Sequence, residues 1–291
     1  MRLKMEGFVE ILGYKIFYRS FGEPTKGTLL CLHGGPGATH EYLLPMTDLA
    51  EQGYRVILYD QLGCGRSEVP KNRGLFVMER YMEEVEALRK KLNLQKIHLL
   101  GSSCGGQLAI GYAVTYQKYL KSLTTIGGLH NVLMTFNEMQ RMKRALPTHV
   151  YETLKKYEEI GDYENPEYLS AVMVFYRKHV CRLDKWPKEV SYSLDHISKP
   201  VYETMNGPNE FTIIGNIRYW DATPQLHSIK VPTLVTCGRY DEVSPKVARD
   251  IHKHIKGSKL VVFPKSSHLP FWEEREKFIG VLKEFLDQVD S

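Results

Sequence analysis

A serine set between glycines is the arrangement in this sequence best suited to chemistry. The pentapeptide is Gly101-Ser102-Ser103-Cys104-Gly105. It matches G-x-S-x-G, the nucleophile elbow, in which a strained turn between a strand and a helix exposes a serine hydroxyl. An apolar run precedes it, and a proline-free segment with helical spacing of its apolar residues follows it. Ser103 is therefore the candidate nucleophile, and the alternative interpretation is an ordinary Gly-Ser turn.

A serine hydroxyl needs a base to take its proton and an acid to orient that base. His268 follows a predicted strand over residues 259–263, and Asp241 follows another over residues 231–237. Sites in open α/β sheets form at the carboxyl ends of the strands, so these side chains are expected to meet Ser103 there. The other ten histidines lack such a position, and for each of them a surface or core role is predicted.

A predicted strand is also followed by a glycine-rich segment, His33-Gly34-Gly35-Pro36-Gly37. Such an exit can bring a backbone N–H close to a substrate carbonyl, as an oxyanion hole requires. We assign the N–H groups of Gly35 and Cys104 to that hole, with Gly34 as the alternative donor. A plain turn is the other interpretation. We expect His33 to be a structural hydrogen-bonding residue.

The pattern of elements indicates the fold class. Residues 8–11 and 14–18 are β-rich and edge-like, and they predict an opening antiparallel hairpin. Buried strands are then predicted at 28–32, 54–59 and 97–100, with a helix over 77–92 before the third. Strands that alternate with helices predict an α/β fold with a mostly parallel sheet covered on both faces.

The alternation stops at about residue 131 and resumes near residue 223. The intervening segment is helical, polar and aromatic, and it is punctuated by prolines. We interpret residues 131–222 as an inserted helical cap, with residues 1–130 and 223–291 as the two parts of the core. A last amphipathic helix over 274–289 is predicted to pack on the sheet.

Composition limits the classes of function. The chain has 291 residues, 43% of them hydrophobic, and a net charge of +5 with scattered Lys and Arg. These values predict a soluble globular protein that binds no nucleic acid. No membrane-length apolar stretch and no signal peptide is evident, so we expect a cytoplasmic protein without a membrane partner. Five dispersed cysteines suggest reduced thiols, and neither a metal nor another cofactor is expected.

In combination, these motifs resemble those of the prolyl iminopeptidases, a family of α/β-hydrolase serine peptidases. The nearest resemblance is to the archaeal, tricorn-associated members. It implies an eight-stranded, mostly parallel sheet with an inserted cap. The matching stretches are HGGPG at 33–37, DQLGCGRS at 60–67, GSSCGG at 101–106, GPNEF at 207–211, GRYDE at 238–242 and SH at 267–268.

The resemblance implies removal of the N-terminal residue from short peptides. It implies that the free α-ammonium is held by Glu242 and by Glu210 from the cap. From residue type alone, Glu210 would be an exposed loop acid. A buried carboxylate pair recovers part of its desolvation cost when a cation binds, which would select unblocked N-termini. A functional link to a larger protease such as tricorn is also implied.

The residue after the nucleophile departs from the family pattern. The family usually has Trp or Tyr there, whereas this chain has the much smaller Cys104. We therefore expect a broader aminopeptidase that accepts proline and other, mainly apolar, first residues. Ser103, at the centre of the elbow, is the expected nucleophile and not Cys104.

Two other functions remain open at this stage. The first is an amino-acid amidase, esterase or lactonase that uses the same three residues. The paired glutamates disfavour a neutral ester, but an amino-acid amide would satisfy them. The second is a non-catalytic binding protein of the same fold, although such proteins usually lack one of the three residues.

Overall fold

The computed structural model describes residues 3–291 of the chain. Over these residues the apolar runs form one eight-stranded sheet. Its strands are β1 (Leu3–Ile11), β2 (Tyr14–Phe21), β3 (Gly27–Leu32), β4 (Tyr54–Tyr59), β5 (Ile97–Ser102), β6 (Leu120–Ile126), β7 (Thr233–Gly238) and β8 (Lys259–Phe263). Their order across the sheet is β1-β2-β4-β3-β5-β6-β7-β8, and β3 to β8 are mutually parallel. The predicted α/β class and the mostly parallel sheet are confirmed.

The predicted opening hairpin is present. Leu12 and Gly13 form its two-residue turn, and both have positive φ (52° and 83°), as the tight turns of hairpins require. The expectation that both strands are edge-like is wrong for β2, which pairs with β4 as well as with β1. That second pairing joins Tyr18 to Tyr59 across a long stretch of chain, so local sequence carries no signal for it.

Ten α-helices occur between residues 3 and 291. They are α1 (Met78–Lys91), α2 (Cys104–Tyr116), α3 (Val132–Arg144), α4 (Thr148–Ile160), α5 (Pro166–His179), α6 (Lys188–Asp195), α7 (Lys199–Met205), α8 (Pro245–His254), α9 (Pro270–Glu273) and α10 (Arg275–Asp290). Sequence patterns predicted α1 and α10 to within two residues. They missed the 3₁₀ helix from His40 to Gln52, which contains Pro45.

Helices cover the sheet on both faces, as predicted. On one face, α1 and α2 pack through buried residues such as Val85, Leu88 and Ile110. On the other face, α10 and the 3₁₀ helix contribute buried residues such as Phe278 and Leu43. The two clusters hold the sheet between layers of apolar side chains, so its carboxyl ends form a rigid platform.

The segment between β6 and β7 contains the five helices α3 to α7. Its side chains line cavities above the end of β5, together with Ser103. This segment therefore supplies part of the wall of any site built on Ser103. No helix within residues 3–291 has both the length and the apolar character needed to cross a bilayer.

Candidate active site

Ser103 occupies the turn between β5 and α2. Its backbone angles, φ 58° and ψ −126°, are costly for a residue with a side chain. The turn is held by hydrogen bonds from Ser103 N to the Ile126 carbonyl (2.9 Å) and from Gly106 N to the Ser103 carbonyl (2.8 Å). The surrounding structure therefore imposes a strained conformation on this serine.

The flanking glycines make the sharp turn possible. A Cβ atom on Gly101 would lie 2.0 Å from the carbonyl oxygen of Gly105. A Cβ atom on Gly105 would lie 2.2 Å from the carbonyl oxygen of Leu32. Neither contact is sterically allowed, so the strand and helix can approach this closely only because both positions are glycine.

His268 and Asp241 meet beyond the carboxyl ends of β8 and β7. Nδ1 of His268 lies 2.6 Å from Oδ1 of Asp241, and the same oxygen accepts a hydrogen bond from Val243 N at 2.8 Å. Asp241 is 1% exposed and His268 is 5% exposed. The buried carboxylate thus holds the imidazole in one orientation.

Ser103 and His268 line the same cavity, of about 60 Å³. Nε2 of His268 makes no hydrogen bond within the described part of the chain, and this includes Ser103 Oγ. The contact between a general base and its nucleophile often tightens only when substrate binds. Ser103 and His268 therefore border one cavity, and Asp241 contacts the other ring nitrogen of His268.

The proposed oxyanion donors lie beside the serine. Gly35, with φ of 110°, lines the cavity next to Ser103, and Cys104 is the first residue of α2. The N–H of a first helical residue has no partner inside the helix. The alternative donor, Gly34 N, is already bonded to the Tyr42 hydroxyl at 2.7 Å, so the geometry favours Gly35.

His33 is engaged on both sides of its ring. Nε2 accepts a hydrogen bond from Gln61 N (3.0 Å), and Nδ1 lies 3.0 Å from the Gly34 carbonyl. The ring is buried, and this burial lowers its pKa. These contacts fit the predicted structural role.

Two acidic side chains, Glu210 and Glu242, face the cavity beside His268. Oε1 of Glu210 accepts a hydrogen bond from the Tyr202 hydroxyl at 2.9 Å. Oε2 of Glu242 has no hydrogen-bond partner in residues 3–291, and its Oε1 lies 3.7 Å from His268 Nε2. Burial raises the pKa of both carboxyls, and the neighbouring Glu210 charge raises that of Glu242 further. A cation at this place would relieve the unfavourable burial of negative charge.

The same charges act on the imidazole. Burial lowers the pKa of His268. The opposing effects are larger: the charge and hydrogen bond of Asp241, and the charges of Glu242 and Glu210, raise this pKa to about 10. A positive group between the glutamates would cancel part of this effect.

Two chambers adjoin Ser103, and both include Gly35 and Glu210. The larger, of about 60 Å³, contains His268 and apolar side chains of the helical segment; we call it the histidine chamber. Those side chains are Val180, Val190, Leu194 and Ile197. The smaller, of about 20 Å³, is the cysteine chamber. Its wall includes Cys104, Gln107, Thr135, Met139, Asn206 and Val243.

The Cys104 thiol is unsuited to nucleophilic attack. It is 8% exposed, and burial raises its pKa to about 12. A thiol reacts as its thiolate, which is scarce at neutral pH when the pKa is this high. All five cysteines are buried and unpaired by disulfides.

Three residues that the sequence did not single out also shape the site. Gly127, with φ of 51°, packs so closely on His268 that a Cβ atom there would lie 2.6 Å from the ring. Tyr202 orients Glu210, and Gln107 lines the cysteine chamber. Of these three residues, only Gly127 could have been noticed in the sequence, because it belongs to a Gly-Gly pair that follows β6 directly.

One group of potential metal ligands lies elsewhere. Within residues 3–291, His40, Glu41 and Asp60 place ligand atoms within 4.8 Å of one another. Asp60 Oδ1 already bonds His40 Nδ1 at 2.8 Å, and its Oδ2 accepts from Arg66 N at 2.9 Å. Hydrogen bonds within the protein thus engage Asp60 and His40 Nδ1, whereas Glu41 Oε2 and His40 Nε2 have no hydrogen-bond partner within residues 3–291.

The chain is similar to known proteins over almost its whole length. Residues 27–275 match the family model of the α/β-hydrolase fold. A proline iminopeptidase of Saccharolobus solfataricus is 49% identical over 289 residues, which are 98% of this chain and 93% of that protein. The crystal structure of VinJ superposes with a TM-score of 0.96 at 35% identity, covering 99% of this chain and all of the other. That of a proline iminopeptidase from Mycobacterium smegmatis gives a TM-score of 0.91 at 32% identity, covering 98% and 99%.

Proposed function

Because this chain belongs to the α/β-hydrolase fold family, and within it to the proline iminopeptidases, we propose that it is a serine aminopeptidase. The family predicted from its motifs is thereby confirmed. The proposed reaction releases N-terminal proline and other, mainly apolar, residues from short peptides. The observation that carries this function is that the Glu210–Glu242 pair shares a cavity with Ser103 and His268.

Ser103 is the proposed nucleophile. Its Oγ attacks the carbonyl carbon of the first peptide bond while His268 Nε2 takes the hydroxyl proton. Asp241 stabilises the imidazolium, and the N–H groups of Gly35 and Cys104 bind the oxyanion. Collapse of the intermediate breaks the C–N bond, and the imidazolium gives its proton to the departing amine.

The same groups complete the cycle. Water attacks the ester on Ser103 as His268 Nε2 takes one of its protons. The ester bond then breaks, the free amino acid leaves, and the imidazolium returns a proton to the serine oxygen. The reaction consumes one water molecule and leaves the enzyme unchanged.

Glu210 and Glu242 are the proposed site for the substrate ammonium. Ionised hydrogen bonds are stronger than neutral ones, and a buried charge is tolerated when it is paired. A bound ammonium therefore keeps both carboxylates ionised, whereas an acetylated N-terminus leaves them without a cation. Recognition of this kind confines cleavage to the first residue.

Residues 131–222 are the proposed cap, between core segments 1–130 and 223–291. Val180, Val190 and Ile197 from this segment line the histidine chamber, so they limit the space next to the scissile bond. Enclosure excludes water and leaves little room for a folded chain. Short peptides are the substrates that suit such a site.

The proposal also covers the protein's location in the cell and its partners. Five buried thiols without a disulfide suit a reducing cytoplasm. An enzyme that removes single residues from short peptides would act downstream of a larger protease, and tricorn is one such candidate. The proposal includes neither a nucleic-acid partner nor a membrane partner.

Product analysis tests the function. Short peptides that differ only in their first residue are incubated with the enzyme and with Ser103→Ala, and the products are identified by mass spectrometry. We expect release of one residue at a time from the amino end, with proline and apolar first residues accepted, and no release by Ser103→Ala. Internal cleavage, or hydrolysis of a nitrophenyl ester without any peptide cleavage, would contradict the proposal.

A further inference from the structure

Gln107 has a buried side-chain amide without a hydrogen-bond partner in the described part of the chain. Its side chain is 0% exposed, and neither Oε1 nor Nε2 has a hydrogen-bond partner within residues 3–291. It lies in the first turn of α2, four residues after Ser103. Buried amides without partners are rare in folded proteins because they lose their hydration without compensation. A partner for this amide would therefore come from outside residues 3–291, as a water molecule or a bound ligand.

Gln107 lines the cysteine chamber, where the neighbouring polar groups are already engaged. Thr135 Oγ1 donates to the Asn131 carbonyl at 3.0 Å, and Asn206 Nδ2 donates to the Asn209 carbonyl at 2.9 Å. These bonds leave the Gln107 amide as the unpaired polar group among these side chains.

The positions of the catalytic groups indicate which part of a substrate reaches this chamber. The departing amine must receive its proton from His268, so the leaving peptide lies in the histidine chamber. The first residue is held by its ammonium near Glu210 and by its carbonyl carbon at Ser103, and both residues also border the cysteine chamber. The ammonium, the carbonyl carbon and the side chain are all bonded to the first residue's Cα, and with the leaving peptide in the histidine chamber, the cysteine chamber is the space left for this side chain.

We propose that Gln107 is a specificity-determining residue that hydrogen-bonds a hydroxyl group on the side chain of the substrate's first residue. This inference rests on the proposed aminopeptidase function and adds small hydroxyl-bearing residues to its substrates. An amide both donates and accepts, as a hydroxyl does, so one hydroxyl can satisfy either amide atom. A carboxylate in the same position would lie near Glu210 and be repelled.

Isosteric substrates isolate this contact. Threonyl and valyl fluorogenic amides have the same shape but differ by one hydroxyl, and kcat/KM is measured for both with the wild type, Gln107→Met and Met139→Leu. We expect the kcat/KM of the wild type to be about tenfold higher for the threonyl amide than for the valyl amide, because one hydrogen bond has an effect of about this size. Gln107→Met keeps the side-chain length and should abolish the preference. Met139→Leu alters the same chamber without altering hydrogen bonds and should preserve the ratio.

The outcomes separate this inference from the function on which it rests. Equal cleavage of both amides by the wild type, or a preference that survives Gln107→Met, overturns the role of Gln107 and leaves the aminopeptidase function intact. If Gln107→Met does not fold, the wild-type comparison alone decides. Failure of the wild type to cleave any aminoacyl amide instead overturns the proposed function itself.

Discussion

Nδ1 of His268 lies 2.6 Å from Oδ1 of Asp241, and this contact leaves Nε2 directed to the cavity that Ser103 lines. A carboxylate beside Nδ1 selects the tautomer that carries its proton on that nitrogen. Once a cation between the glutamates lowers the raised pKa of His268 and the ring is neutral, the lone pair is on Nε2, where it can accept the proton of a serine hydroxyl. The predictions below follow from this arrangement and from the groups buried around it.

Replacing the orienting acid should disable the base. In Asp241→Asn, the amide can donate to Nδ1, which favours the tautomer with its proton on Nε2 and blocks proton transfer from Ser103. We expect kcat on a prolyl amide to fall by about 10⁴-fold, the effect typical of this change in a serine triad. Circular dichroism checks that the variant is folded. Activity within tenfold of the wild type would exclude Asp241 as the orienting acid.

Two adjacent serines provide a matched test of the nucleophile. Ser103 occupies the strained turn, whereas Ser102 is the last residue of β5 and is fully buried. We expect Ser103→Ala to lose about 10⁶-fold in kcat, as loss of a triad nucleophile does, and to resist labelling by a fluorophosphonate. Ser102→Ala should retain both activity and labelling. Labelling that persists in Ser103→Ala would assign the nucleophile elsewhere.

Thiol chemistry should not affect the reaction. Burial raises the pKa of Cys104 to about 12, so little thiolate exists at neutral pH. We expect iodoacetamide to leave activity unchanged and Cys104→Ala to stay within about tenfold of the wild-type kcat, since its backbone N–H remains. Rapid inactivation by iodoacetamide, absent in Cys104→Ala, would mean that this thiol is reactive and accessible.

The pH dependence of stability should reveal Glu84, a buried carboxyl outside the site. Burial raises its pKa from an ordinary 4.5 to about 8, against the opposing effects of the Leu62 N–H and Arg80. The folded state thus keeps a proton that the unfolded state loses. This stabilisation is complete below about pH 4.5 and is lost as pH rises to about 8, with a slope of about 1.4 kcal/mol per pH unit.

Urea unfolding between pH 5 and pH 8 measures this contribution. Glu84→Gln keeps an acceptor for the Leu62 N–H but has no proton to lose, so the free energy of unfolding should decline less steeply with pH than in the wild type. Glu79→Gln, on the exposed face of the same helix, is the control and should follow the wild-type slope. Equal slopes in the wild type and Glu84→Gln would contradict the assigned pKa.

The parts of the site that sequence predicts are those set by local geometry. Ser103 lies in a glycine-lined turn that directly joins a strand to a helix, so the pattern of these elements can be recognised in the sequence. Asp241 and His268 are predictable because each follows a strand whose carboxyl end reaches the same edge of the sheet.

Features set by distant packing are not predictable in this way. Gln107 looks like an ordinary polar residue of α2, and only packing of the segment between β6 and β7 over that helix leaves its amide buried. The bond from Tyr202 to Glu210 likewise depends on how α7 and the following loop pack. The interior position of β2 requires pairing with β4, which the sequence of β2 does not encode.

Discrimination between free and blocked N-termini tests the central claim most directly. The measurement compares kcat/KM for a prolyl amide and its N-acetylated counterpart in the wild type and in Glu242→Gln. We predict at least a hundredfold preference for the free amine in the wild type, because a lost charged hydrogen bond and an unpaired buried charge each cost about 1.5–3 kcal/mol. The preference should shrink in Glu242→Gln. Equal turnover of both substrates by the wild type would contradict ammonium recognition by Glu210 and Glu242, and with it the aminopeptidase function.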